Sequence, residues 1–261
     1  MFQSCISRHT PAYFLFIIDQ SARMKEPYAD GLTKGQYVAR QVNELINDLI
    51  NLNMAGDNVQ DRFFISIIGH SNGRVIELRS GYLSSFADNP LRVQIEKKKV
   101  SNGVGGLIEI EWTVPIFIEP LAKGLEDELA AFQFSKEIIE RWMKRKNYLS
   151  TAMINISGGY PKDWKEITCI VNDIKNIAHS EDKVILCNML IDRNIKLLEY
   201  PTHEEVFNQS FSTQMYFEWS TYINQYFLPY YNKRRIALTA YKKMFVNQNL
   251  ITILNFIDNG S

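Results

Sequence analysis

The 261-residue chain is long for one domain and short for two, and its composition, 46% hydrophobic and 22% charged, provides a sizeable core and argues against global disorder. Lysine plus arginine equals aspartate plus glutamate at 29 residues each, so the net charge is zero. This balance argues against a general nucleic-acid binder and against a binder of anionic membranes.

Residues 12–18 form the first predicted element, an apolar and aromatic run that is typical of a strand buried on both faces of a parallel sheet. The run ends at Asp19, and Ser21 and Arg23 follow in a polar loop. Because open α/β sheets bind ligands at the carboxyl ends of their strands, this loop is the first candidate site.

Predicted helices and strands then alternate along the chain. Thr33 is an N-cap candidate for a helix that continues to about residue 52. The pattern next predicts, in chain order, a strand over residues 62–69, a short return over 74–78, a helix over 126–146, a strand over 151–157, a helix over 162–179 and a strand over 183–191. This alternation indicates a Rossmann-like α/β fold, with a mainly parallel sheet flanked by helices.

Residues 79–120 interrupt the alternation. They contain a basic run at 97–99, a glycine cluster at 103–106 and a segment at 107–118 in which apolar and polar residues alternate. Alternation at a period of two is typical of a half-exposed strand. We therefore predict a β-hairpin insertion, added at the edge of the sheet or over its top.

The C-terminal region, residues 200–261, is rich in aromatic residues. These residues either pack at the edge of the core or form an exposed surface for a partner. Within the region we predict a helix over 232–245 and a last apolar element over 250–257. The sequence has no internal repeat and no low-complexity linker, so residues 1–261 are predicted to form a single domain.

The three cysteines, Cys5, Cys169 and Cys187, are widely spaced. An odd number of scattered cysteines fits a reducing compartment better than a disulfide framework. The N-terminus has no basic segment followed by an apolar one, and no apolar run is long enough to span a membrane. We therefore expect a cytoplasmic protein.

Residues 13–24 resemble the first strand and metal-site loop of a von Willebrand factor type A domain. That family's loop reads Asp-x-Ser-x-Ser, often followed by Met, and Asp19, Ser21 and Met24 match it. Arg23 stands where the second Ser is expected. The similarity extends over nearly the whole chain, which resembles a group of bacterial intracellular type A domains. It implies a type A fold and a role as a scaffold that binds other proteins.

The family draws the oxygen ligands of a Mg²⁺ site from three loops. The resemblance implies a Thr in the second loop and an Asp in the third, but residues 122–128 contain no Thr, and Gly158, followed by Gly159, stands at the Asp position. Arg23 would repel Mg²⁺ and satisfy Asp19 by itself. The resemblance therefore implies a degenerate adhesion site, for which we expect no metal or other cofactor.

The leading hypothesis is a non-enzymatic protein-binding module that acts as a scaffold or adaptor in a bacterial cytoplasmic complex. Its contact surface is predicted to be the carboxyl edge of the sheet, where Arg23 would reach an acidic group of the partner protein. The predicted partner-binding residues are Asp19, Ser21, Arg23, Glu126, Gly158 and Gly159.

Two alternatives remain open. In the first, the module binds Mg²⁺ through a rebuilt site that uses Asp19 and Ser21 together with Glu126 or Asp127. In the second, Asp19 serves a hydrolase or phosphotransferase. His70 follows the second predicted strand, but no nucleophile motif accompanies it, so it is interpreted as a loop histidine.

Overall fold

The computed structural model describes residues 6–101, 103, 106–144, 151–177, 184–222, 242 and 244–246. Most of the helix predicted over residues 232–245 lies outside these ranges, and the apolar element predicted over 250–257 lies wholly outside them. Within the described ranges, no helix has both the length and the apolar character that crossing a membrane requires.

Helices and strands alternate through most of the described chain. The helices are α1 (Lys34–Leu52), α2 (Leu83–Asp88), α3 (Glu128–Met143), α4 (Trp164–Lys175), α5 (His203–Phe207) and α6 (Phe211–Trp219), and a 3-10 turn spans Ala22–Lys25. The strands are β1 (Ala12–Asp19), β2 (Met54–Ala55), β3 (Asn58–Val59), β4 (Phe63–Ser71), β5 (Arg74–Tyr82), β6 (Arg92–Ser101), β7 (Leu107–Ile116), β8 (Thr151–Ser157), β9 (Ile185–Leu190), β10 (Leu198–Glu199) and β11 (Met244–Val246).

A seven-stranded sheet with the order β10-β11-β9-β8-β1-β4-β5 forms the centre of the molecule. β1 pairs in parallel with β4 on one side and with β8 on the other, β9 pairs in parallel with β8, and β11 with β9. The edge strands β5 and β10 run antiparallel to their neighbours. The predicted mainly parallel α/β fold is therefore confirmed, and the carboxyl ends of β4, β1, β8 and β9 lie at one edge of the sheet.

Every residue of β1 is buried, and its side chains alternate between two apolar clusters. Even-numbered residues from Phe14 to Ile18 pack on the side of α1, whereas odd-numbered residues from Tyr13 to Ile17 pack on the side of α3 and α4. Burying an apolar side chain of this size contributes roughly 1.5–3 kcal/mol. The strand therefore joins both layers of the core and fixes the position of Asp19 at its end.

Helix α1 begins with the predicted cap. Gln36 N donates to Thr33 Oγ1 (3.2 Å), and Thr33 N donates to Gln36 Oε1 (2.9 Å). Each side chain thus accepts from the backbone N–H of the other residue. The cap sets Lys34 as the first residue of the helix, where its side chain is buried. Its Nζ donates to Gly158 O (2.9 Å), so the start of α1 is tied to the loop after β8.

The predicted hairpin is present, but it forms a sheet of its own. β6 and β7 pair antiparallel from Arg92 opposite Ile116 to the far end of both strands. The base of the hairpin is fixed to α1 by Asn43, whose Oδ1 accepts from Phe117 N (2.8 Å) and whose Nδ2 donates to the Ile118 carbonyl (3.0 Å). The predicted start of the insertion at residue 79 is wrong, because the end of β5 pairs with β4 in the central sheet.

The C-terminal region departs most from the predicted elements. Met244 and Phe245, assigned from the sequence to the end of a helix, lie in β11 instead and are fully buried beside β9. The aromatic residues of α6 also pack inward, since Tyr216, Phe217 and Trp219 are all at most 2% exposed. For these three residues the structure shows core packing, whereas residues 223–231 of the predicted aromatic surface lie outside the described ranges.

Candidate functional site

Three loops meet at the carboxyl edge of the sheet. The loop after β1 is joined to the loop before α3 by a backbone hydrogen bond from Ala22 N to Gly124 O (2.8 Å). The loop after β8 is joined to the end of β1, because Gly158 N donates to Asp19 Oδ2 (3.1 Å). These two residues are 139 positions apart in the sequence. The parallel register of β1 and β8 thus brings distant segments of the chain to one place.

Asp19 is fully buried at the centre of this edge. Its Oδ1 accepts from Ser21 N (2.9 Å), and its Oδ2 accepts from Gly158 N and forms an ion pair with Arg23 Nε. Burial by itself would raise the pKa of Asp19, but the Arg23 guanidinium and the Ser21 N–H together lower it below its usual value. Asp19 is therefore ionised and enclosed, and no face of it is presented to a substrate.

Arg23 reaches all three loops. Its Nε pairs with Asp19 after β1, its Nη2 donates to Ser157 Oγ (2.9 Å) at the end of β8, and its Nη1 donates to Tyr160 O (2.7 Å). The same Nη2 lies 3.6 Å from Glu128 Oε2 at the start of α3. Burial disfavours the charge of Arg23, but the neighbouring carboxylates outweigh it and raise the pKa of the guanidinium. The side chain is 17% exposed, so part of the cation still reaches the surface.

Glu128 and Tyr216 complete this network from the inside. Glu128 is fully buried, its Oε1 accepts from Asn155 Nδ2 (2.9 Å), and its Oε2 accepts from the Tyr216 hydroxyl (2.9 Å). The Tyr216 oxygen also lies 2.7 Å from Ser157 Oγ. Burial raises the pKa of Glu128 to about 7, although Arg23 and the Asn155 amide oppose the shift.

Neither Glu128 nor Tyr216 was among the site residues predicted from the sequence. A signal was present for Glu128, because helical spacing places it on the buried face of α3 with Ala131, Phe132 and Ser135. No comparable signal existed for Tyr216, since α6 itself was not predicted. The Tyr216–Glu128 contact spans 88 residues of sequence. It forms because α3 and α6 pack in the same core cluster, which no local sequence pattern records.

Glu126 and Asp127, the carboxylates considered for a rebuilt cation site, flank this network. Glu126 Oε1 accepts from Lys162 N (3.0 Å) and its Oε2 accepts from Glu128 N (3.2 Å). The Glu126 side chain therefore ties the start of α3 to the segment before α4. The backbone N–H of Asp127 donates to His70 Nδ1 (3.3 Å), which ties the same turn to the end of β4.

His70 lies inside β4 as the register partner of Asp19, so its interpretation as a loop residue is wrong. Burial lowers the pKa of His70 to about 4, and because Nδ1 accepts from Asp127 N, the neutral ring carries its hydrogen on Nε2. His70 Nε2 and Ser21 Oγ are both buried without a hydrogen-bond partner among the described residues. Buried groups of this kind commonly bind water, an ion or a ligand.

The two glycines after β8 differ in the space around them. A Cβ added to Gly158 would lie 2.5 Å from Met24 Sδ, which is closer than real contacts allow, and 3.3 Å from an oxygen of Asp19, which is a tight contact. A Cβ added to Gly159 would meet Arg23 Cδ at 3.5 Å, an ordinary contact. Gly158 therefore permits the close approach of the third loop to the Arg23–Asp19 pair, and a side chain at this position would disturb it.

The donor set at this edge does not fit a divalent cation while Arg23 keeps its position. Both oxygens of Asp19 already have donors, Ser21 N on Oδ1 and Arg23 Nε with Gly158 N on Oδ2. Throughout the described ranges, no group of three or more histidine, cysteine, aspartate or glutamate side chains is arranged to hold a metal ion. Of the oxygen ligands that the resemblance implies, the hydroxyl of Ser21 is buried without a partner among those residues.

Exposed apolar side chains, here called the rim, lie in two of the loops at this edge. Tyr160, whose carbonyl binds Arg23, is 43% exposed, and its ring packs 5.5 Å from that of Phe211, which is 46% exposed. In the loop before α3, Leu125 is 67% exposed. Among the predicted partner-binding residues, the buried ones are Asp19, Ser21 and Gly158, and the partly exposed ones are Arg23, Glu126 and Gly159.

Searches for a matching family model and for a curated relative found none. The chain is similar to the manganese-loaded TRAP protein of Plasmodium vivax (13% identity, TM-score 0.38, covering 70% of this chain and 58% of that one). It is also similar to the ArnB paralog VWA2 of Sulfolobus acidocaldarius (16%, 0.39, covering 71% and 36%) and to the vWF domain of the type V pili tip protein Mfa5 of Porphyromonas gingivalis (10%, 0.34, covering 57% and 38%).

The chain thus spans less than two thirds of the length of each of these solved structures. The fold itself is established by the strand order, in which parallel β1 lies at the centre between β4 and β8 and helices cover both faces. The chain therefore has a Rossmann-like α/β fold, and Asp19 and Ser21, the residues that carry the resemblance to type A domains, lie at the carboxyl end of β1.

Proposed function

We propose that the chain is a non-enzymatic protein-binding module in which the Arg23 guanidinium stands where a type A domain would hold a divalent cation. The observation that carries this proposal is the set of partners of Arg23. The cation contacts Asp19 after β1, Glu128 at the start of α3 and Ser157 at the end of β8. Each contact comes from one of the three loops that would otherwise supply metal ligands.

The exposed edge suggests the chemistry of the partner. Arg23 donates to acceptors on the protein and keeps a partly exposed face, so a carbonyl or carboxylate oxygen of the partner is the group it would bind. Because Asp19 and Glu128 already offset its charge, affinity would come mainly from the rim of Tyr160 and Leu125. In this proposal the module acts as a scaffold or adaptor in a bacterial cytoplasmic complex, and the odd number of scattered cysteines fits the reducing compartment that this implies.

A matched pair of surface variants tests the proposed edge. Leu125→Asp places a charge on the rim, whereas Leu52→Asp does the same at the far end of α1, where Leu52 is 56% exposed. Proteins that copurify from native cells should be lost with Leu125→Asp and kept with Leu52→Asp, with and without EDTA. Equal retention by both variants would place the binding surface elsewhere, and loss with EDTA would favour a cation-dependent site.

One observation favours a second candidate, a cation-dependent module. Ser21 Oγ is buried without a partner in the described part of the chain, the state expected of a hydroxyl that awaits an ion. Thermal unfolding in EDTA and in millimolar Mg²⁺, Mn²⁺ or Ca²⁺ distinguishes the two candidates. A ligand at about 100 times its dissociation constant adds about 2.7 kcal/mol. A melting temperature that rises with one ion, and no longer does so in Asp19→Ala, would support the second candidate.

A further inference from the structure

Two lysine ammonium groups share one carbonyl oxygen where α4, α6 and β11 meet. Lys175 is the last residue of α4, and its Nζ donates to Glu218 O (3.1 Å). Lys242, two residues before β11, donates from Nζ to the same oxygen (3.2 Å) and to Glu218 Oε2 (3.0 Å). Glu218 lies in the last turn of α6, where carbonyl oxygens lack partners within the helix.

The charges around this oxygen are unequal. Glu218 supplies the carboxylate that faces both ammonium groups, because the nearby Asp173 pairs with Lys136 of α3 (2.6 Å) instead. Among the described residues, two cations therefore share the Glu218 carboxylate, whose side chain is 52% exposed and partly screened by water.

The ammonium group of Lys242 has more partners than that of Lys175. Its side chain is 4% exposed, it pairs with Glu218, and its Nζ lies over the rings of Phe217 (4.6 Å) and Tyr222 (5.0 Å). Lys175 is partly exposed, and within the described ranges its Nζ donates to the shared carbonyl alone. Burial and repulsion by Lys242 lower the pKa of Lys175 to about 8, against the attraction of Glu218.

We propose that Lys175 is an acylation site that reacts with small acyl phosphates. A lysine becomes a nucleophile when a second cation and partial burial keep its amine neutral. The lone pair of Nζ attacks the carbonyl carbon and forms the C–N bond. The C–O bond to phosphate breaks, phosphate leaves with the electron pair, and the extra proton on nitrogen passes to water.

Acylation would change how the last described elements are held. The amide product is neutral, so it ends the repulsion between Lys175 and Lys242 and leaves Lys242 with the undivided attraction of Glu218. Helix α4 begins next to the candidate site and ends at the opposite edge of the sheet. The modification would therefore adjust the contact between α6 and β11 without touching Arg23.

Acetyl phosphate at pH 7.5, followed by peptide mass spectrometry, tests this proposal on the full chain. Each pKa unit changes the neutral fraction of an amine about tenfold, so Lys175 should acetylate about tenfold or more faster than Lys165 in the first turn of α4. Lys242→Met should slow the acetylation of Lys175 several-fold, whereas Glu218→Gln should accelerate it. Lys97→Met, which removes an exposed lysine from the separate β6–β7 hairpin, is the control and should leave the rate unchanged.

Lys242→Met and Glu218→Gln are expected to change the rate in opposite directions, so the proposal can still be tested if one of them does not fold. Equal rates for Lys175 and Lys165 in the wild-type chain would overturn the proposal. So would a Glu218→Gln variant in which Lys175 reacts no faster, even where Lys242→Met does not fold.

Discussion

Arg23 Nη2 donates to Ser157 Oγ at 2.9 Å, across 134 residues of sequence. Because Nε of the same guanidinium pairs with Asp19, one side chain links the carboxyl ends of the adjacent strands β1 and β8. The cation also lies between two fully buried carboxylates, those of Asp19 and Glu128. The stability of this edge therefore depends on Arg23.

Replacing Arg23 by Met should strongly destabilise the fold, because it leaves Asp19 and Glu128 buried without their shared cation. Removing one partner of a buried ion pair costs about 3–5 kcal/mol. Arg40→Met is the matched control, since Arg40 and its partner Asp30 are 42% and 68% exposed, and a surface pair of this kind is worth about 0–1 kcal/mol. Urea unfolding of the two variants measures the difference, and similar losses would contradict the assigned role of Arg23.

Placing Ser at position 23 should not by itself confer Mg²⁺ binding. Arg23→Ser supplies one hydroxyl, but the second loop still has no Thr, and Gly158 still stands at the Asp position. An Asp at 158 would meet Met24 Sδ, which lies 2.5 Å from the position of its Cβ. Melting temperatures of Arg23→Ser with and without Mg²⁺ should therefore coincide. A clear stabilisation of that single variant by Mg²⁺ would show that the other loops supply ligands after all.

Glu128 and His70 should act on stability with opposite dependence on pH. The pKa of Glu128 is raised from 4.5 to about 7, so its contribution is present below pH 4.5 and is lost as the pH rises through 7. The pKa of His70 is lowered from 6.5 to about 4, so its contribution is present above pH 6.5 and is lost as the pH falls through 4. Between these limits the two slopes oppose each other.

Two variants separate these slopes. Glu128→Gln leaves the His70 slope, so the free energy of unfolding should rise by up to about 3 kcal/mol between pH 4 and 6.5. His70→Asn, in which the amide oxygen still accepts from Asp127 N, should show the reverse trend. Urea titrations from pH 4 to 7.5 give both profiles. Profiles parallel to that of the wild-type chain would mean that neither group titrates as its surroundings indicate.

Gly158→Ala should destabilise the domain, whereas Gly159→Ala should be almost neutral. The first substitution places a methyl group against buried Met24 and the Arg23–Asp19 pair, and overpacking of this kind costs about 1–3 kcal/mol. The second adds a methyl group at ordinary contact distance from Arg23 Cδ. Thermal unfolding of the two variants side by side measures this contrast, and an equal cost would indicate that the third loop adjusts freely.

Local patterns in the sequence predicted the fold well. The unbroken apolar run at β1 indicated a central strand, Thr33 marked the start of α1, and the end of β1 indicated which edge carries Asp19 and Ser21. Each of these signals lies within a few neighbouring residues, where burial and hydrogen bonding leave a periodic pattern.

The missing parts of the site depend on contacts between distant residues. Glu128 and Tyr216 meet because α3 and α6 pack on the same face of the sheet, and no local pattern records that pairing. Met244 and Phe245 of β11 were misassigned to a helix for the same reason, since a short apolar segment fits a helix or a strand until its neighbours are known.

A cation that belongs to the polypeptide has no dissociation constant. Arg23 is joined to the loop that carries Asp19, so its effective concentration at that carboxylate is set by chain geometry and does not vary with the ionic composition of the surroundings. Chelators, dilution and competing metals cannot remove the Arg23 charge from this edge. Its occupancy follows the folding equilibrium instead, so the edge is assembled in every folded molecule.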